Sequence, residues 1–237
     1  MQSEKYGRTY HYPFSPGTTS DDRINHDYWH DLQQIQTLVH TEKLDGENNC
    51  LNRYGVFARS HAAPTTSPWT ATLREFWQRV RGELGNLEIF LENLYAIHSI
   101  QYQHLEHHFY VFAVREHDLW LSWEEVKFYA GLLELPTVPE IEVEPTPSHI
   151  EAFEQKITSI VQTAGALCPV DMATGKPCTM EGIVSRNADA FSTAAFAQNV
   201  FKWVRKGHVK TNQHWTRNWK RAPLKQEGGA HVDIDYP

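Results

Sequence analysis

Three cysteines in 237 residues (Cys50, Cys168 and Cys178) are too few for a disulfide framework, which predicts a reducing, cytoplasmic setting. No run of about 18 apolar residues occurs, so no membrane-spanning helix is expected. The opening MQSEKYGRTY lacks the apolar core of a signal peptide. A P-loop phosphate cradle is missing too. ATGKP at 173–177 has neither the first glycine nor the hydroxyl, and Pro177 would fit poorly just inside a helix. Zinc spacing is absent: nine residues separate Cys168 from Cys178, which reads as a loop with two ordinary thiols. HLEHH (104–108) precedes a strand without a second cluster and reads as a solvated loop. Internal repeats and low-complexity segments are lacking. Between Asn199 and Gln226 there is neither Asp nor Glu.

What is present describes a globular chain. Hydrophobic content is 41% and aromatic content 12%, enough for one large core or two modest ones. The net charge of −7 is uneven. The acid-free stretch carries eight of the 22 basic residues, which leaves the remainder at −15. Trp203, Trp215 and Trp219 lie among those cations. Cations mixed with rings suit a nucleic-acid surface; a solvated tail with its tryptophans packed on the body reads equally well.

Helices and strands alternate along the chain. Tyr28, Leu32, Ile35 and Val39 recur at helical spacing and predict a helix over 27–38. Residues 49–60 read as a hairpin turning at Asn52–Gly55. Leu73, Phe76, Trp77, Val80 and Leu84 mark a helix across 71–84. LEIFLENLY (87–95) and FYVFAVRE (109–116) read as strands, with HDLWL completing a second hairpin. SWEE (122–125) is a capping box, predicting a helix to about Leu133, and SHIE (148–151) repeats that signal before another helix. EGIVSR (181–186) and NVFKWVR (199–205) are the last strands. The N-terminal loop, 165–180 and the tail read as irregular.

TEKLDGENNC (41–50) is the most informative stretch. It sets Lys43 beside Glu42, Asp45 and Glu47, with Gly46 in a turn. An ordinary acidic turn has this form, and so does a nucleophile in a nucleotide pocket. The order of the downstream motifs separates the two. After Lys-x-Asp-Gly come FLENLY with Glu92, FYVFAV, EGIVSR with Glu181, and FKWVRK with Lys202, each at a strand or strand edge. That ordered set resembles the covalent nucleotidyltransferase superfamily of DNA ligases, RNA ligases and mRNA capping enzymes. Asn48, standing where DNA ligases usually carry arginine, makes it most similar to ATP-dependent RNA ligases. The resemblance covers about residues 40–207.

The resemblance implies an α+β nucleotidyltransferase fold, antiparallel sheets flanked by helices, with ATP in the cleft. It implies residues 1–207 as the catalytic domain and 208–237 as a short basic tail, too short for an OB barrel. Lys43 would attack the α-phosphate of ATP and carry AMP as a phosphoramidate, which then passes to a 5′-phosphate before a 3′-hydroxyl displaces it. Glu42 would read the adenine amino group, Asp45 orient the loop, and Asn48 act in sealing. Arg59 would reach the ribose or a nucleic-acid phosphate. Glu92 would accept from a ribose hydroxyl and join Glu181 at Mg²⁺ or Mn²⁺. Phe112 would stack on adenine, with Phe109 as the neighbouring alternative on the opposite strand face. Lys202 would hold the α-phosphate. Two departures stand out: Leu91 replaces a common glycine, and Val204 replaces a second lysine, so that Arg205 or Lys206 would supply that cation. Lys210, Arg217, Lys220 and Arg221 would grip nucleic acid. The implied partners are RNA (nicked duplex, tRNA break or single strands, with RNA or DNA beside the break) and an end-healing kinase or phosphatase, with no membrane. A DNA ligase, a capping-type enzyme and a non-catalytic nucleic-acid binder are the alternatives.

Overall fold

The structure is a computed structural model that describes residues 3–59, 63–207 and 216–227. In chain order the elements are β1 (Tyr10–His11), α1 (Tyr28–Leu32), β2 (Thr37–Lys43), β3 (Glu47–Asn52), β4 (Gly55–Ala58), α2 (Ala71–Val80) and β5 (Leu87–Asn93). Then come β6 (Ile100–Tyr102), β7 (Phe109–Glu116), β8 (Leu119–Trp120), α3 (Trp123–Leu132), β9 (Glu140–Pro145) and α4 (Ile150–Ile160). β10 (Pro169–Asp171), β11 (Lys176–Pro177), β12 (Gly182–Asn187), β13 (Phe191–Ser192), α5 (Phe196–Asn199) and β14 (Val200–Val204) complete the set.

Two sheets make the body. One runs β1-β14-β12-β2-β9 and the other β13-β8-β7-β5-β3-β4; a small β11-β10-β6 sheet lies beside them. Pairing is antiparallel except between β1 and β14. The α+β expectation holds, and no OB barrel occurs among the described residues. No helix among them is long and apolar enough to cross a membrane.

Side-chain alternation explains the layers. On β14, Phe201 and Trp203 join Leu38, Ile183, Phe153 and Ile157 in a core between the first sheet and α1 and α4. The intervening Lys202 and Val204 face a cleft. A second core holds Leu51, Ile89, Leu91, Val111, Trp123 and Val126. Between the sheets an aromatic cluster gathers Phe90, Trp120, Phe191 and Phe196.

Both large sheets carry an irregularity. In β7, Val111 pairs with Leu91 and Ala113 with Phe90, so Phe112 is an extra, unpaired residue. In β9, Glu142 pairs with His40 and Glu140 with Thr41, leaving Ile141 extra. Such bulges bend a strand and re-aim a side chain.

Several expectations change. The helix over 27–38 stops at Leu32, because residues 37–43 pair with β12 and β9 as a central strand. The periodic Ile35 and Val39 are buried all the same, now from a turn and a strand. The Ser122–Glu125 capping box forms as expected, whereas α4 starts after His149 with no side-chain cap. The helix from 71 ends at Val80. The 165–180 stretch contains β10 and β11, and β9 completes the edge beside β2.

Gly182 comes directly after Glu181 and joins β12 to β14; a Cβ there would lie 2.1 Å from the Trp203 carbonyl oxygen. Overpacking of this kind costs about 1–3 kcal/mol. Gly182→Ala should therefore lower Tm by roughly 2–12 °C in a thermal melt; an unchanged Tm would show that β14 shifts freely.

Candidate active site

A cavity of about 740 Å³ lies between the two large sheets. Glu42 and Lys43 enter it from the end of β2, Asn48 from β3, Glu92 from β5, Phe112 from β7, Glu181 from the start of β12 and Lys202 from β14. Asp45 and Gly46 line it from the β2–β3 turn, and Arg59 from the end of the β3–β4 hairpin. Residues spread from Glu42 to Lys202 thus meet in one space.

The turn carrying Asp45 is tied down by hydrogen bonds. The Asp45 carboxylate accepts from the Ser99 N–H at 2.9 Å, the Ser99 hydroxyl at 2.6 Å and the Ile100 N–H at 2.9 Å. The Asp45 N–H donates to the Tyr102 hydroxyl at 2.7 Å. Gly46 N–H donates to Glu92 at 2.9 Å, and a Cβ at Gly46 would lie 2.6 Å from the Asn93 carbonyl oxygen. Glycine is required there by close approach, so the Asp-Gly pair fixes where Lys43 leaves the strand.

The Lys43 amine lies 2.8 Å from both oxygens of Glu181, whose side chain is only 2% exposed against 29% for Lys43. Burial alone would lower the lysine pKa. The carboxylates of Glu181, Glu92 and Asp45 outweigh it, and the net direction is upward. Burial pushes Glu92 up to about 8 despite Lys43 nearby. It pushes Glu42 up to about 7, opposed by the Ala166 N–H that donates to Glu42 Oε2 at 2.8 Å. Glu42 Oε1 is buried and has no hydrogen-bond partner among the described residues.

The bulge separates the two phenylalanines. Phe112 lines the cavity, whereas Phe109 is 3% exposed in the second core. Parity also separates the late cations. Lys202 faces the cavity; Arg205 points away, with its guanidinium 3.7 Å from Cys178 Sγ, and neither it nor exposed Lys206 lines the space. Val204 occupies the next cavity-facing position.

The N-terminal segment supplies a wall that the sequence did not announce. Tyr6, Arg8, His11, Asp22 and Arg23 line the cavity. Asp22 lies 3.3 Å from the Lys202 amine and 3.1 Å from His11 Nε2. Burial, then Lys202, lowers His11 to about 4, so it is neutral at pH 7. Burial also lowers Lys202, partly offset by Asp22. These residues sit in loop and a two-residue strand, where no periodicity marks them.

The basic tail divides. Lys210 and Trp215 lie outside the described residues. Residues 216–227 pack on the body: Ile97 N–H donates to the Lys220 carbonyl, Ala222 N–H to the Tyr95 carbonyl, and Ala222 is 2% exposed. Thr216 reaches the cavity edge. Arg217 and Lys220 are exposed, while Arg221 is held by Glu227 at 2.6 Å. Trp219 packs near Trp69 and Tyr95.

This arrangement of two sheets recurs in solved RNA ligases. An apo variant of an RNA ligase from Naegleria gruberi superposes with a TM-score of 0.53 at 18% identity, covering 85% of this chain and 59% of that one. A variant of the same ligase with ATP and Mn gives 0.54 at 17% identity, covering 85% and 60%. This chain thus spans about three fifths of the length of those ligases. No curated protein matches. The pattern of the RNA ligase family matches residues 36–204, and the chain belongs to that family.

Because burial raises Glu42 to about 7 in the folded chain, the folded state holds its proton more tightly than the unfolded one. Its contribution to stability is therefore lost as pH rises from about 4.5 to 7. Glu42→Gln should unfold in urea like the parent at pH 4.5 and be more stable by roughly 1–3 kcal/mol at pH 8. Equal stability at both pH values would mean that Glu42 is already satisfied.

Proposed function

We propose that this chain is the nucleotidyltransferase unit of an ATP-dependent RNA ligase, sealing 5′-phosphate to 3′-hydroxyl ends through a lysyl-AMP intermediate. One observation carries the reading: a lysine amine on the cavity floor, gripped at 2.8 Å by both oxygens of a buried glutamate, with two further carboxylates close enough to raise its pKa.

In the proposed reaction, Lys43 Nζ loses a proton and attacks the α-phosphorus of ATP. The N–P bond forms as the bond to the β-phosphate oxygen breaks, releasing pyrophosphate. The 5′-phosphate of RNA then takes AMP, freeing the lysine. Attack by the 3′-hydroxyl forms the phosphodiester and expels AMP. Dividing one difficult displacement into three is the benefit of a covalent intermediate.

Each side chain has a part in this scheme. The orphan Oε1 of Glu42 takes the adenine amino group, and Phe112 stacks on the base. Glu92 takes a ribose hydroxyl while holding the Gly46 N–H. Asp45 anchors the turn that presents Lys43. Lys202 neutralises the α-phosphate, released from Asp22 as phosphate arrives. Arg59 at the cavity rim and the exposed Arg217 and Lys220 meet the nucleic acid, and Asn48 acts in sealing.

The donor set suits a divalent ion. Glu181 and Glu92 offer hard oxygen ligands, and no group of three or more His, Cys, Asp or Glu side chains among the described residues forms a cage by itself. Mg²⁺ commonly binds through one or two carboxylates plus substrate phosphates. Mg²⁺ or Mn²⁺ held there would supply positive charge against the carboxylates that now keep Lys43 protonated.

Incubated with ATP and Mg²⁺, the protein should gain the mass of one AMP through an acid-labile bond, and Lys43→Ala should gain none. Glu181→Gln should fold with an unchanged circular dichroism spectrum and lose at least about 100-fold in labelling rate, on the scale of other losses of transition-state charge stabilisation. Equal labelling of Lys43→Ala would remove this nucleophile, and labelling by GTP in preference to ATP would favour capping chemistry.

A further inference from the structure

Two arginines are buried among the described residues, Arg115 at 3% exposure and Arg186 at 5%. Arg115 has a counter-ion: its Nε donates to Glu88 at 2.8 Å. Arg186 has none among the described residues. Its donors go to main-chain carbonyls instead, Nη2 to Leu121 at 2.7 Å, Nε to Asn187 at 3.2 Å and Nη1 to Phe112 at 3.5 Å. Burial lowers its pKa to about 10, so it stays charged at pH 7. A buried cation without a counter-ion costs stability that a well-packed apolar side chain would not. We propose that Arg186 is a positioning residue that reaches from β12 to the bulge of β7 and holds Phe112 in the cavity as the base platform, an inference that rests on the ligase reading.

The placement crosses the two sheets. Arg186 lies in the first, opposite Val200 of β14 and Val39 of β2. Its contacts lie on the second: Phe112 is in β7, and Leu121 directly follows β8. Leu121 N–H donates to the Val114 carbonyl at 3.0 Å, so that contact leads back to β7 as well. The guanidinium sits against two rings, 5.9 Å from the Trp123 centroid and 5.6 Å from that of Phe191. A planar fork with several donors can serve three carbonyls from one place; an ammonium on a flexible stem presents no such fork.

The bulge is where such a hold is needed. An extra residue in a strand is left out of the ladder that directs its neighbours. Phe112 pairs with no residue of β5. Its carbonyl is met instead by Arg186, and its ring is met edge-on by Tyr6 at 5.1 Å. Arg186, Tyr6 and Phe112 all line the cavity. In this scheme Arg186 acts on the nucleotide through Phe112.

The test uses the whole protein. Arg186→Met removes the donors and the charge at similar length. It should raise the ATP concentration for half-maximal lysyl-AMP formation by about fivefold to a hundredfold, the range expected when a base loses an aromatic platform. The maximal rate should stay parental, because the groups around Lys43 are untouched. Phe112→Ala should show the same split. Adding Arg186→Met to it should change nothing further, since two residues acting through one contact are not additive. Arg186→Lys keeps the charge without the fork and should behave like Arg186→Met. Hydrogen exchange needs no nucleotide: it should quicken over β7 in both Arg186 variants and stay parental over α4. Additive effects of Arg186→Met and Phe112→Ala, parental ATP dependence in Arg186→Lys, or parental exchange over β7 would each overturn the assignment. If Arg186→Met does not fold, Arg186→Lys and its exchange decide the matter. A parent that forms no lysyl-AMP would count against the ligase reading, and exchange over β7 would still judge whether Arg186 holds the bulge.

Discussion

One half-buried ammonium among too many carboxylates governs the site. Lys43 balances Glu181 directly, yet Glu92 and Asp45 also act on it, and Glu42 lies close to Glu181. Without an added cation the cluster answers by holding protons: Lys43 keeps its own, while Glu92 and Glu42 rise to about 8 and 7. An amine in that state is protected from acylating agents and other stray electrophiles. The negative surplus that keeps the amine protonated is the same feature that would attract a cation into the cavity. Inertness of the amine and affinity for a cation therefore have one physical origin.

The surrounding fold serves that cluster. β2 and β12 run antiparallel, with Lys43 opposite Gly182, so Glu181 sits one step beyond the pair and at the lysine's side. The second sheet brings Glu92 across through its bond to Gly46. Neither sheet alone assembles the charges.

The motif-bearing strands are legible in the sequence. Those carrying Glu92, Phe112, Glu181 and Lys202 have strong hydrophobic patterns, and the Lys-x-Asp-Gly turn has a chemistry of its own. The residues after Leu32 mislead, because Ile35 and Val39 fit a helical period while their burial comes from a turn and a central strand. Arg205 resembles a phosphate ligand by its proximity in sequence, but strand parity turns it toward Cys178. The N-terminal wall is illegible for a different reason. His11 and Asp22 acquire meaning only through contact with Lys202, some 180 positions away, and loops leave no periodic trace of such contacts.

The bulge in β7 separates the requirements of the sheet from those of the cavity. Phe112 is the residue that the ladder with β5 skips, and its ring lies in the cleft for that reason. Removing a single codon there would leave a regular ladder of ordinary length, with the same neighbours and much the same core. The fold would survive the deletion and the proposed base platform would vanish. The cavity wall and sheet integrity are thus written in the same eight residues of β7 but can be lost independently. Relatives compared by strand parity alone would be set out of phase by one residue at this cavity-facing position.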